Sequence, residues 1–291
     1  MKRRERFAIA ALIALTMGCS ASAARIELRT DSASCTVETV GARILSFAVG
    51  GEEQLWNDSP LQLTANDWAH GGIPTCWPWF GVATNGLIHG TAWRSEFKTI
   101  RRNESKDRSE AELLLETADA KLTLRLALTD ALTLELETLN TGTNEFRFSA
   151  GFHPYLRVAE RDAVRVEGVD GLSYEDDPSC PVPASGTWSG PLPITNNVDR
   201  IFSLGGAAPA TLRLVDPAQR RTIIVESVGA DAANVWNPGA AKLCPGNVPG
   251  DSWRRFVCVE PILVGGKCGF VSIAPGERRS LKMSIRREKT R

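Results

Sequence analysis

Residues 121–128 read KLTLRLAL and residues 132–139 read LTLELETL, with a turn at Asp130-Ala131 between them. Leucine falls on alternate positions and mostly polar side chains fill the gaps, which is the period of a half-buried strand. Similar runs occur on both sides, at 25–30, 35–40, 44–49, 113–117, 211–215, 222–227, 256–260, 270–273 and 280–286. No long helical period interrupts them. Strands separated by turns predict an antiparallel all-β architecture.

Between these runs lie Gly- and Pro-rich segments at 70–90, 176–200 and 237–253, read as long loops, and a charged, exposed stretch at 101–112. Loops of that length in a compact domain are usually functional. No internal repeat or low-complexity linker divides the chain. The expectation is one domain, residues 24–291, built as two packed antiparallel sheets with the site on its loops and on one concave face.

Residues 1–23 are set apart from this domain. Lys2, Arg3, Arg4 and Arg6 precede an apolar run over 7–17, and Ala21-Ser22-Ala23 has the small-x-small form of a signal-peptidase site. The segment is expected to be an export signal, placing the protein in the periplasm or outside the cell. Gly18-Cys19 offers a lipoprotein alternative, although Thr16 stands where the usual lipobox Leu would be. The apolar run is short of the ~20 residues needed to span a bilayer, and no later stretch approaches that length. Without the signal the chain has 268 residues with 30 basic and 33 acidic side chains, a formal charge of −3. That balance implies neither a nucleic-acid nor an anionic-membrane partner. A monomer is expected.

Six cysteines remain after Cys19: Cys35, Cys76, Cys180, Cys244, Cys258 and Cys268. Cys76 and Cys258 sit in apolar segments, where a buried small thiol is the plain reading. Cys180 and Cys244 lie in Pro-rich loops and form the preferred disulfide pair among the fifteen full pairings that six cysteines allow. None of the spacings is that of a zinc site, and no metal is expected.

Histidine is scarce. His70, His89 and His153 are the only three, each in a segment dense in Gly, Pro or aromatics: HGGIPTCWPWFG (70–81), HGTAW (89–93) and GFHPYL (151–156). Imidazole alone among side chains has an unperturbed pKa near neutrality, which makes these the first positions to examine for proton chemistry. A carboxylate partner occurs in FVCVEP as Glu260, at the end of an apolar run where an unpaired buried charge would be costly.

The order GGIPTCWPWFG, then HG, then FHPYL, then VWNPG (235–239), then FVCVEP resembles the aldose 1-epimerase superfamily, specifically its glucose-6-phosphate 1-epimerase (hexose-6-phosphate mutarotase) branch. The resemblance spans most of the chain beyond the signal. It implies a large galactose-mutarotase-type β-sandwich that binds a sugar or sugar phosphate on its concave face. By the same resemblance His153 and Glu260 are the catalytic pair. Exchanging α and β anomers requires taking the proton from the C1 hydroxyl and giving one to the ring oxygen, after which the ring opens, turns about C1–C2 and recloses. The implied roles are base at O1 for Glu260 and acid at O5 for His153, on opposite sides of the anomeric centre and exchanged on the return path. No cofactor is required.

The resemblance also implies substrate contacts from His70, His89, Trp93, Asp199 (in VDRIF), Trp236 and Asn237. Trp77, Trp79 and Phe80 read as packing or as a sugar-stacking shelf, with packing preferred for Trp77. Two positions depart from the phosphate-using branch, which usually carries Arg before GGIP and at the end of an HGFAR motif. Here they hold His70 and Trp93, which removes two bidentate phosphate donors. If 89–93 is extended, Arg94 faces away from position 93 and does not replace it. Preference for a phosphorylated sugar is therefore not expected. A non-catalytic carbohydrate-binding protein on the same sandwich is the alternative, one that would not need both His153 and Glu260. A three-histidine metal hydrolase lacks the HxH or HExxH spacing.

Overall fold

A computed structural model of the chain describes residues 24–57, 70–83, 87–177, 183–195, 197–206, 208–240, 248, 250–266 and 269–289. The expected signal segment, Cys19, Cys180, Cys244 and Cys268 lie outside the described residues. The 121–139 stretch forms a hairpin, Ala120–Leu128 with Leu132–Asn140, in register Leu124↔Leu136 and Leu126↔Leu134. These leucines are buried. The hairpin lies inside a nine-stranded antiparallel sheet that also holds the long strands Ser109–Glu116, Arg278–Lys289, Arg221–Val228 and Ala210–Asp216.

The charged 101–112 stretch, expected to be exposed, contains strand. Lys98–Glu104 and Ser109–Glu116 pair as a hairpin at the edge of this sheet, and every residue of the first strand is exposed. A strand with no buried face carries no apolar alternation, and its Lys and Arg side chains suit an edge that must not pair with another molecule. The 176–200 segment likewise contains strand, at Ser185–Thr187 and Leu192–Pro193 and at the start of Val198–Ser203.

A second sheet faces the first. It runs in the order Ser185–Thr187, Ser173–Asp176, Val198–Ser203, Ala232–Asn237, Phe256–Leu263, Ala150–Phe152 and Thr75–Cys76, with Tyr155–Arg157 also paired to the Phe256–Leu263 strand. Alternation splits its residues between two surroundings. Val257, Val259, Ala233, Val235, Val198 and Phe202 enter the apolar core shared with the leucine hairpin. The residues between them, including Asn234, Trp236, Asp199 and Ile201, face a cavity. The Phe256–Leu263 strand is buried on both faces, which explains its unbroken apolar appearance around Glu260.

Candidate active site

Pairings Gly151↔Ile262 and Tyr155↔Cys258 flank the dipeptide His153-Pro154. Counting inward from both places His153 directly opposite Glu260. Pro154 has no backbone N–H, so the ladder opens here, while the imidazole and the carboxyl share one face. His153 Nε2 lies 3.5 Å from Glu260 Oε2. On the other side of Glu260 stands Asn234, its register partner, whose Nδ2 donates to Glu260 Oε1 at 3.3 Å and to Asp199 Oδ1 at 3.1 Å. The pair is thus side by side on one sheet face, not on opposite sides of a sugar.

Burial governs the charges. It pushes the Glu260 carboxyl well above the usual carboxylate range, helped by Asp199 and opposed by the Asn234 hydrogen bond. It drives the His153 imidazole well below its ordinary value, with His89 and His70 adding to the effect. His70 is lowered to about 4 by burial and by the Arg43 charge, and His89 to about 3 by burial and by His70. Asp199 is raised to about 7, chiefly by burial and then by Asp177.

Local structure fixes each imidazole. Arg43 Nη2 donates to the carbonyls of His70 and Gly71, both at 2.8 Å. Gly72 has φ +67° and its Cβ would meet the Ile44 carbonyl at 2.1 Å, so the second glycine of GGIP is a steric requirement. His70 Nδ1 meets the Tyr155 hydroxyl at 2.8 Å and its ring stacks on Trp236 at 6.1 Å and 12°. His89 is clamped by Gly81, whose N–H donates to His89 Nδ1 at 3.1 Å while the His89 N–H donates to the Gly81 carbonyl at 2.8 Å. An accepting Nδ1 puts the proton on Nε2. Gly90, φ +77°, lets the chain pass the Trp77 carbonyl, which a Cβ would meet at 2.0 Å.

These side chains open onto a cavity of about 1120 Å³. His70, His89, His153, Asp199 and Trp236 line it together with Asn234, and Glu260 is buried just beneath, between His153 and Asn234. The family model for aldose 1-epimerase matches residues 24–286. This chain belongs to the aldose 1-epimerase family.

The epimerase is 30% identical over 237 residues to a Salmonella typhimurium (strain LT2) protein provisionally named glucose-6-phosphate 1-epimerase, covering 76% of this chain and 77% of that one. A Cenchrus ciliaris protein with the same provisional name is 28% identical over 247 residues, 78% and 73% of the two chains. Among solved structures, a provisionally named mutarotase from Salmonella typhimurium matches with a TM-score of 0.79 at 25% identity, over 91% of this chain and 90% of that one. A galactose mutarotase-like protein from Clostridium acetobutylicum shares the fold, with a TM-score of 0.72 at 15% identity over 91% and 95%. The all-β mutarotase-type sandwich is therefore the fold of this epimerase, and its class is isomerase. No helix among the described residues is long and apolar enough to cross a membrane.

Two expected sugar contacts are placed elsewhere. Trp93 is buried in a small cluster with Cys76, Phe80 and Ile88, and its Nε1 donates to the carbonyls of Ile88 and Gly90 at 3.1 Å each. Residues Ala92–Arg94 form a 3-10 turn, so the extended-strand premise for 89–93 fails; Arg94 lies over the Trp93 ring. Asn237 is fully buried on the face opposite Trp236. Its Nδ2 donates to the carbonyls of Trp253 and Phe256 at 2.8 Å and its Oδ1 accepts from Gly239 N–H. Alternation along the strand forbids Trp236 and Asn237 from sharing a surface. Trp77 is packed in the core with its Nε1 on Thr138 Oγ1, and Phe80 reaches the cavity.

Asn234, Tyr155 and Arg43 were not singled out by sequence. Asn234 has the same parity as Trp236, which places it on the same face, but its pairing to Glu260 depends on a register no local pattern encodes. Cys76 and Cys258 are fully buried, as expected. The donor atoms of His153, Cys258 and Glu260 also lie within 4.8 Å of one another, a grouping with metal-ligand residue types that linear spacing did not suggest.

Proposed function

We propose that this epimerase interconverts the α and β anomers of an unphosphorylated aldose, with Glu260 as base at O1 and His153 as acid at O5. The observation that carries the reading is the 3.5 Å contact between His153 Nε2 and Glu260 Oε2. O1 and O5 are bonded to the same carbon, so adjacent donor and acceptor atoms on one face suit them. The O1 hydroxyl seats in the notch between His153 and Asn234, above Glu260.

The opposed effects of burial leave the pair with one proton between them over a wide pH range. Burial favours the proton on Glu260; moved to Nε2, it leaves Glu260 a carboxylate and His153 an imidazolium, the form that opens the ring. Transfer of the O1 proton to Glu260 and of the Nε2 proton to O5 leaves the carboxylic acid and the neutral imidazole, which is the other tautomer of the same pair. Reclosure on either face of the aldehyde reverses both transfers and yields either anomer. No net charge enters or leaves the site. His89, with its proton on Nε2, is a hydrogen-bond donor for a sugar oxygen, and the Trp236 indole offers an apolar surface.

Electrostatics supports a neutral substrate. Among the described residues lining the cavity there is no Lys or Arg, whereas Glu175, Asp177, Asp199 and Asp231 contribute carboxyl groups. Among those residues a phosphate dianion finds no cationic donor. Export, which the first 23 residues suggest, also favours free sugars. Polarimetry of freshly dissolved α-glucose, α-galactose, mannose and their 6-phosphates tests the reading. Accelerated equilibration of at least one free hexose is expected; acceleration confined to the 6-phosphates contradicts it.

A further inference from the structure

The cavity exceeds what one ring needs. Its volume of about 1120 Å³ stands above the roughly 300–1,000 Å³ of ordinary small-molecule sites, while the proposed reaction occupies only the part over His153 and Glu260. One arm of the remaining space follows a row of cross-strand neighbours. Glu260 stands opposite Asn234, Asn234 opposite Ile201, Ile201 opposite Glu175, and Glu175 opposite Ser185. Beyond Glu260 itself, each of these lines the cavity. With strands about 4.8 Å apart, the row carries the groove roughly 19 Å from the reacting carboxyl to the sheet edge.

The chemistry of the row suits carbohydrate. Ile201 is an apolar platform for the C–H face of a pyranose, and amide, carboxyl and hydroxyl groups flank it. Asn234 stands at the junction of the two halves. It is 6% exposed, its Nδ2 is committed to Asp199 and Glu260, and its Oδ1 has no hydrogen-bond partner among the described residues. A buried carbonyl left without a donor is unfavourable, and a ligand hydroxyl would relieve it once the amide turns to meet the groove.

We propose that the row Asn234–Ile201–Glu175–Ser185 is a second sugar subsite, and that the preferred substrate is the reducing end of an oligosaccharide. Its terminal ring is anomerised over His153 and Glu260 while the next ring lies on Ile201 between Asn234 and Glu175. In a 4-linked sugar the glycosidic oxygen leaves the ring on the side away from C1, which is the direction the row takes away from the catalytic pair. The inference rests on the mutarotase reading, and binding separates the two.

The test compares maltose, cellobiose and lactose with glucose and galactose, reading Kd by calorimetry and turnover by polarimetry. Two ordinary hydrogen bonds give about a tenfold gain, so at least one disaccharide is expected to bind about ten times more tightly than its reducing-end hexose and to show a correspondingly higher kcat/KM. Ile201→Trp, which fills the groove, and Glu175→Ala, which removes a carboxyl from a half-buried strand, are each expected to bring the disaccharide-to-hexose ratio toward one. Should Ile201→Trp fail to fold, Glu175→Ala carries the comparison. Equal Kd and kcat/KM for disaccharides and hexoses, or a ratio unmoved by the variants, overturns the subsite. Tight disaccharide binding with no anomerisation of any sugar sustains the subsite and overturns the mutarotase reading.

Discussion

Asn234 and Glu260 face each other across adjacent strands, and the single Nδ2 of Asn234 serves both Glu260 Oε1 and Asp199 Oδ1. One amide therefore bridges the buried Glu260 and the half-buried Asp199 and sets the orientation of the proposed base. A hydrogen bond to the ionised form lowers a carboxyl pKa, and the nearby Asp199 raises that of Glu260.

Replacing Asn234 by Ala is accordingly expected to raise the Glu260 pKa further. The pH profile of kcat moves to higher pH, and kcat at neutral pH falls by about tenfold as base orientation is lost. Combining Asn234→Ala with Asp199→Asn should move the profile part of the way back. A kcat loss with no displacement of the profile would assign Asn234 a merely structural role.

Asp199 makes a prediction about stability. Its folded pKa of about 7 exceeds the ordinary 3.8, so the folded chain holds a proton that the unfolded chain releases between those values. Its contribution is fully present below pH 3.8 and is lost as pH rises through 7. Asp199→Asn removes that loss. The variant should gain stability over wild type as pH rises from 4.5 to 7.5, by roughly 2 kcal/mol at the upper end, in denaturant unfolding. A gain confined to the acid side has the wrong sign and contradicts the assignment.

Much of this arrangement was legible in the sequence. Period-two leucines at 121–139 identified the sheet, and scarcity pointed to His70, His89 and His153, which converge at one cavity with Asp199 and Trp236. What escaped has physical causes. The Lys98–Glu104 strand buries neither face and so shows no alternation. Trp93 and Arg94 sit on a 3-10 turn, where strand parity does not apply. Asn237 follows Trp236 and must point the other way. Asn234 matters through long-range register, which local sequence does not contain.

Substrate charge gives a third prediction, now confined to position 70. His70 lines the cavity, whereas Trp93 is enclosed by Cys76, Phe80 and Ile88. The wild type should show no preference for a hexose 6-phosphate over the free hexose. His70→Arg should raise the phosphate-to-free ratio of kcat/KM by about tenfold. Trp93→Arg should instead destabilise the fold by about 3 kcal/mol, because it buries an unpaired guanidinium and leaves the Ile88 and Gly90 carbonyls without their donor. A stable Trp93→Arg variant with enhanced phosphate use would show that position 93 reaches the substrate after all.

Export is tested by N-terminal analysis of the protein purified from its own cell. Processed chain beginning at Ala24, or an acylated Cys19, is expected. An intact Met1 on a cytoplasmic protein contradicts both forms.

The central claim is that one proton shared between His153 and Glu260 drives anomer exchange. Its most direct test is the rate at which a freshly dissolved free aldose equilibrates with wild type, His153→Ala and Glu260→Gln, each variant first shown to be folded by near-UV circular dichroism. The account predicts that each substitution lowers kcat by about 100- to 10,000-fold, and that the double variant is little slower than either single one, because the two groups act as a unit. A folded single variant that equilibrates the sugar at near wild-type rate would contradict it.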